Sequence, residues 1–225
     1  MKIRFLGHSA FELTEGETNI LIDPYLTGNP RAGASPDELS PTHIFLTHGH
    51  PDHIGDTLQI AQRTDATVIA ITEIGYELSA AGVQNVIGPN IGGTVTFDGG
   101  WVRLVPAWHT STTPNGTVNT PAGLVVNLGG RNVYHLGDTA LFSDLALVAE
   151  RDHIDVALVC MGGFYTMDPV DAVQAVKLIK PDVVIPCHYA TRPLLVQDAG
   201  PFKADVEART DSRVVILESG AVHEL

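Results

Sequence analysis

The sequence predicts an α/β protein in which two β-sheets pack together with helices outside them, folded as one domain over residues 1–225. Three observations predict it. Stretches with strand-like apolar patterning give way to helix-period stretches and then to strands again, and this succession occurs twice along the chain. No linker or low-complexity segment separates the two halves. The length of 225 residues, 44% of them hydrophobic, is enough for a single core.

The elements follow in order. Strands are expected at 2–6, 10–14 and 19–23, the last two joined by the turn Glu15-Gly16-Glu17. A strand at 43–47 runs directly into a histidine-rich segment. Next come a helix at 54–63, a strand at 67–71 and a helix at 72–81. The second half restarts with strands at 94–97 and 101–106. A hairpin of 122–128 and 132–136 then turns at Gly129-Gly130. A helix at 141–150 and a strand at 155–160 follow. Asp168 suits a helix N-cap with Pro169 in the first helical position, and Val173, Val176 and Ile179 keep one apolar face until Pro181 stops the helix. A strand at 183–186, a helix at 202–209 and a strand at 214–217 complete the chain. Segments 27–41 and 110–121 are loops rich in Gly, Pro, Thr and Ser, of a length that often serves as a lid.

Bulk properties exclude several functions. A net charge of −13, with 13 scattered Lys and Arg residues, argues against a general nucleic-acid binder, because phosphate backbones select basic surfaces. No run approaches the ~18 apolar residues of a membrane span, and the N-terminus alternates like a strand rather than a signal peptide. The expected location is the cytoplasm. Cys160 and Cys187 sit in apolar runs and read as buried strand thiols, not a disulfide framework.

Chemistry concentrates in Thr47-His48-Gly49-His50-Pro51-Asp52-His53. Imidazoles and a carboxylate crowded this closely are explained by a metal ion, for which neutral imidazole nitrogen and carboxylate oxygen are ordinary ligands. His48 and His50, two apart, point to one side of extended backbone, while Asp52 and His53 follow where the chain turns toward a helix. One loop thus presents two pairs of ligands, which suggests two adjacent metals. His109, Asp138 and His188 each close an apolar strand, so three more donors are expected at one edge of the sheets, completing a set of seven. His43, His135, His153 and His223 are read as non-ligands.

These residues resemble the metallo-β-lactamase-fold hydrolases, whose HxHxDH motif is matched by His48, His50, Asp52 and His53. The resemblance runs the whole length, through Asp23 in Leu21-Ile22-Asp23-Pro24, His109, Gly137-Asp138-Thr139 and His188. Leu6-Gly7-His8-Ser9-Ala10-Phe11, Met161-Gly162-Gly163, Thr166-Met167 and His188-Tyr189 look like a bacterial and archaeal group of metal-dependent hydrolases akin to ascorbate-6-phosphate lactonase and, more distantly, to N-acyl-phosphatidylethanolamine phospholipase D. The resemblance implies a four-layer αββα sandwich with the site along one sheet edge. It implies that His48, His50 and His109 hold one ion, that Asp52, His53 and His188 hold a second, and that Asp138 bridges them. Asp23 matches an aspartate that supports the histidine loop from behind, fixing ring orientation.

Two divalent ions that share a water lower its pKa toward ~7 and supply hydroxide at neutral pH. The expected reaction is hydrolysis of a small ester, lactone or phosphoester, with Asp52 and Asp138 as the catalytic carboxylates and Asp52 able to relay a proton. No GxSxG elbow suggests a serine nucleophile. Zinc is the default metal, with manganese, nickel, iron or cobalt as alternatives. His8, Tyr165, Tyr189 and Arg192 are candidates for substrate contact or site support. Arg192, in Ala190-Thr191-Arg192-Pro193, stands where relatives would carry an apolar residue and could bind a substrate carboxylate or phosphate, or pair with an acidic side chain of the protein surface. The alternatives are a phosphodiesterase or nuclease of the same fold, disfavoured by the charge and the lack of a protruding arm, and a non-catalytic metal-binding protein, disfavoured by the complete ligand set. The partner is a small molecule, with neither nucleic acid nor membrane. Oligomeric state is not legible, although compact enzymes of this type commonly self-associate into symmetric homo-oligomers.

Overall fold

The apolar strands close into two sheets of seven strands each, described here over residues 1–225 in a computed structural model. Along the first half run β1 (Lys2–Gly7), β2 (Ala10–Glu15), β3 (Thr18–Ile22), β4 (His43–Phe45), α1 (Pro51–Ile54), α2 (Thr57–Thr64), β5 (Thr67–Ile69), α3 (Thr72–Ala80) and β6 (Val86–Ile87). The second half holds β7 (Thr94–Phe97), β8 (Gly100–Pro106), β9 (Ala122–Leu128), β10 (Arg131–His135), α4 (Leu145–Arg151), β11 (Val156–Cys160), α5 (Pro169–Ile179), β12 (Val183–Cys187), α6 (Gly200–Arg209), β13 (Arg213–Val214) and β14 (Val222–Glu224).

One sheet has the order β14-β1-β2-β3-β4-β5-β6, the other β13-β12-β11-β10-β9-β8-β7. Each is antiparallel at one end and parallel at the other. β1 to β3 form a meander and β4, β5 and β6 continue parallel to β3, while β7 to β10 form a meander and β11, β12 and β13 continue parallel to β10. Two successive antiparallel steps restore direction, so β1, β3 and β4 end at the same edge of their sheet, as do β8, β10 and β12 of theirs. Ligands in open α/β sheets gather outside such carboxyl ends.

The inner faces meet in one cluster of 61 buried apolar residues. Phe11 on β2 approaches His135 on β10 with ring centroids 5.6 Å apart, and Phe45 on β4 approaches Phe97 on β7 at 5.5 Å. Each fully buried Ile, Leu or Phe contributes roughly 1.5–3 kcal/mol relative to exposure, which makes the two sheets the rigid part of the molecule. The helices lie outside them. α5 turns Ala172, Val173, Val176 and Ile179 inward, and its Asp168 cap accepts from the Val170 and Asp171 backbone N–H groups at 2.9 Å.

Several expectations are corrected. The helix expected at 54–63 begins only at Thr57, as α2, because Gly55 adopts φ +38° against the Pro24 carbonyl, where a Cβ would lie 2.3 Å from oxygen, and so parts it from the short α1. The helix expected from 141 begins at Leu145, since the Ala140 N–H is drawn to the Trp108 carbonyl. The last expected strand, 214–217, is only β13. The chain then crosses to the other sheet, where β14, absent from the sequence reading, pairs with β1. The 110–121 segment is tied down rather than lid-like. Glu77 on α3 accepts from Thr113 at 2.6 Å and from Asn115 at 2.8 Å.

Candidate metal centre

Strand ends bring the candidate donors together. The β4 strand stops at Phe45, and Pro51 starts α1, so the residues between form a tight loop that carries His48 and His50 before Asp52 and His53 enter the first helical turn. His109 follows β8, Asp138 follows β10 and His188 follows β12. His48, His53, Asp138 and His188 are buried, whereas His50, Asp52 and His109 are half-buried and face a cavity of 350 Å³.

The donor atoms fall into overlapping groups. One nitrogen each of His48, His50 and His109 lies within 4.8 Å of the others, and so do donors of Asp52, His53, His188 and His8. The Asp138 carboxylate stands between them, 3.9 Å from His48 Nε2, 3.6 Å from His109 Nε2, 3.3 Å from His53 Nε2 and 3.1 Å from His188 Nε2.

A second ring of bonds aims these donors. Asp23 is fully buried. Its Oδ1 accepts from the Thr47 N–H at 2.9 Å, and its Oδ2 accepts from the Thr47 hydroxyl at 2.6 Å and from His53 Nδ1 at 2.7 Å. His53 therefore carries its proton on Nδ1 and turns a bare Nε2 toward Asp138. Thr47 Oγ1, having donated to Asp23, accepts from His48 Nδ1 at 3.0 Å, which leaves His48 Nε2 bare as well. Its neighbour in the cleft is His50 Nδ1, at 3.1 Å. Between the two histidines, the Gly49 N–H donates to Ser111 Oγ at 2.9 Å and to Asn119 Oδ1 at 3.2 Å. Gly49 must be glycine here, as a Cβ would lie 2.6 Å from Asn119 Nδ2.

The electrostatics follow from burial and from these neighbours. Burial lowers the pKa of His48, His50 and His109, with the proximity of His53 adding to the effect, so all three offer lone pairs at neutral pH. Burial pushes the Asp138 carboxyl up, but His188 and His53 beside it outweigh that and hold it well below the usual carboxylate range. Burial likewise opposes ionisation of Asp52, and His8 and His53 reverse the balance. His53 is the exception: burial disfavours its charge, yet Asp138 and Asp23 flank it and hold its pKa well above the ordinary value.

The donor set fits a divalent metal. His53 Nε2, His188 Nε2 and Asp138 Oδ1 are buried with no hydrogen-bond partner, although such groups are rarely left orphaned. All three face the same space, and their chemistry is that of zinc and its neighbours. His135, by contrast, accepts from the Gly137 N–H at Nδ1 and donates from Nε2 to the Ser9 carbonyl, leaving no nitrogen for an ion.

Of the outlying candidates, Asp23 supports His53 as described. Arg192 Nη2 lies 3.0 Å from Asp52 Oδ2 on the cavity wall, and Tyr165 lines the same cavity. His8 is buried with Nε2 3.5 Å from Asp52 Oδ2. Tyr189 is a correction. His188 and Ala190 on either side of it both take positive φ, the chain reverses, and the tyrosine packs into the core cluster instead of lining the cavity. Thr47, Ser111, Asn119 and Thr191 escaped sequence reasoning. Only Thr47 carried a signal, as the first residue of the histidine loop, because the others meet their partners across 60 or more residues.

Comparison with known proteins agrees with this geometry. A family profile described as a beta-lactamase superfamily domain matches residues 2–188. A "UPF0173 metal-dependent hydrolase" of Symbiobacterium thermophilum is 48% identical over 100% of both chains, and one of Methanopyrus kandleri is 46% identical over 100% of both. The solved structure of Igni18, a novel metallo hydrolase from Ignicoccus hospitalis, superimposes with a TM-score of 0.90 at 36% identity, covering 100% of this chain and 98% of its own. Fold, motif and relatives converge: the chain belongs to the beta-lactamase superfamily, in the group whose curated members are named UPF0173 metal-dependent hydrolases.

Proposed function

We propose that the chain is a dinuclear metal-dependent hydrolase of small esters, lactones or phosphoesters. In this reading His48, His50 and His109 hold one ion, Asp52, His53 and His188 hold the other, and Asp138 bridges. The observation that carries it is the position of Asp138, whose carboxylate reaches nitrogens of both histidine groups within 3.9 Å. Zinc is the default occupant, with manganese, nickel, iron or cobalt suited to the same nitrogen and oxygen donors. When bound, such ions acidify water and polarise a carbonyl or phosphoryl oxygen.

The chain's own groups do the rest. Asp52 Oδ2, beside Arg192 at the cavity wall, is the carboxylate oxygen placed to accept a proton from an attacking water. Tyr165 borders the cavity and presents a hydroxyl to a developing oxyanion, and Arg192 offers its remaining N–H groups to an anionic substituent. No serine or cysteine lines the cavity, and Cys160, buried behind it, has its thiol pushed up to about 12, so attack by a side-chain nucleophile is not part of the reading. A volume of 350 Å³ suits a small molecule. No helix is long and apolar enough to cross a membrane. The two free thiols fit a cytoplasmic enzyme.

The test is metal-depleted protein reloaded with each ion in turn and presented with chromogenic esters, lactones and phosphodiesters. The expected result is turnover that His50→Ala and Asp138→Ala abolish without altering the far-ultraviolet circular dichroism. A metal-replete, active His50→Ala protein refutes the ligand assignment, and loaded wild type with no turnover across the panel points to a binding protein.

A further inference from the structure

Beyond the seven donors above, the geometry points to an eighth: we propose that His8 gives its Nε2 to the ion held by Asp52, His53 and His188, an inference that rests on the dinuclear reading. His8 follows β1 in a left-handed conformation, φ +58°, an uncommon one for a residue other than glycine, and one that persists where surroundings over-determine it. Here the surroundings grip both ends of the residue. Its carbonyl accepts from the His188 N–H at 2.7 Å, and its Nδ1 lies 2.6 Å from Thr191 Oγ1. The ring direction is thereby fixed, with Nε2 toward Asp52, His53 and His188.

That nitrogen has no hydrogen-bond partner, although the side chain is fully buried. Asp52 Oδ2 is 3.5 Å away, at the outer limit of a hydrogen bond, and one donor atom each of His8, Asp52, His53 and His188 lies within 4.8 Å of the others. A histidine buried for packing satisfies both nitrogens, as His135 does nearby. His8 repeats the pattern of His53 instead: Nδ1 is anchored to an oxygen and Nε2 is left without a partner toward the shared space. Anchoring one ring nitrogen to orient the other is the usual support of a ligating histidine. A third imidazole at this position favours zinc, nickel, cobalt or iron over magnesium or calcium.

The test uses His8→Asn, since asparagine tolerates the left-handed backbone but is too short to replace the ring. Cobalt binding to the metal-free chain is followed by titration against a chromophoric chelator and by visible absorption. Wild type should bind two ions. His8→Asn should bind the first as wild type does and the second about 100-fold or more weakly, beyond the ~10–100-fold typical of an outer partner, with a changed cobalt d–d spectrum. Thr191→Val should weaken the second ion less and leave the spectrum in place. A His8→Asn protein that takes both ions with wild-type affinity and spectrum overturns the proposal. Wild type binding a single ion overturns the dinuclear reading itself, and the stoichiometry tells the two failures apart. Should His8→Asn not fold, as judged by melting of the metal-free protein, a crystal structure of the zinc-loaded wild type decides: a Zn–N distance of about 2.0–2.1 Å to His8 Nε2 supports the proposal, and a ring turned away from the ion ends it.

Discussion

Replacing Asp23 by asparagine changes one oxygen to an amide nitrogen at a residue that touches no substrate, and it should nonetheless weaken metal binding. Asp23 Oδ1 accepts only from the Thr47 backbone, which an asparagine carbonyl reproduces. Oδ2 accepts from the Thr47 hydroxyl and from His53 Nδ1, and there the new NH₂ meets two donors. Thr47 Oγ1 cannot simply turn round, because it already accepts from His48 Nδ1. His53 must then move its proton to Nε2, the nitrogen aimed at Asp138, or rotate away. Either loses a hydrogen bond to a charged group, about 1.5–3 kcal/mol. At ~1.4 kcal/mol per factor of ten, that is roughly 10–100-fold in affinity. The assay is competition with a chromophoric chelator, with the melting temperature of the metal-free protein as control. Asparagine tolerates the φ of +45° at this position, so the fold should survive. Wild-type affinity in Asp23→Asn would refute the argument that the tautomer of His53 is set from behind.

Three further outcomes are expected. Gly49→Ala places a methyl group 2.6 Å from Asn119 Nδ2 and 2.7 Å from Thr113 Cγ2, so it should spread the His48–His50 loop and cost about 1–3 kcal/mol, read as weaker binding of the first ion in the same chelator titration. Arg192→Ala should raise KM about tenfold for anionic substrates, the worth of one charge-assisted hydrogen bond at a partly exposed rim, and leave KM for neutral esters unchanged. Asp155 is pushed up by burial but held below its ordinary 3.8 by the Asn132 N–H and the Arg131 guanidinium. A depressed folded-state value stabilises the fold above that ordinary pKa and is lost as pH falls through the folded one, so urea midpoints of wild type should drop below pH 3.8 more steeply than those of Asp155→Asn.

How much of this was legible in the sequence depends on how local the signal was. His48, His50, Asp52 and His53 announce a metal because four donors fall within one loop, and His109, Asp138 and His188 stand out because each ends an apolar run. The two sheets were legible for a similar reason, the succession of strands and helices being repeated. What escaped was set by distant partners. β14 is three residues with no pattern of their own, recruited by the free edge of β1. Ser111 and Asn119 are ordinary loop residues until the fold brings them to Gly49, and the loop that carries them looked like a lid because nothing local shows Glu77 holding it. Tyr189 follows a metal-donor candidate directly, yet between two residues of positive φ its ring packs into the core cluster, which nothing in its immediate sequence decides.

Strain and rigidity at this centre belong together. His8, Asp23 and His188 all have positive φ and each comes directly after a strand; His8 and His188 turn donors toward Asp52 and His53, while Asp23 holds His53 from behind. Conformations of this kind cost of order 1–3 kcal/mol each and survive only where the surroundings leave no alternative. The sheets supply that constraint on one side, and hydrogen bonds between their edges supply it on the other. The His188 N–H reaches the His8 carbonyl, the Ala122 N–H reaches Thr47, and His135 Nε2 reaches Ser9. The two edges are thus fixed to each other by contacts that involve no ligand atom. Because these contacts fix the cage, the cluster confronts unsatisfied lone pairs and carboxylate oxygens with one another in a buried space, a state that a cation relieves. The affinity of the centre for metal therefore originates in the folding of two apolar sheets, which hold the donors too close together to be comfortable alone.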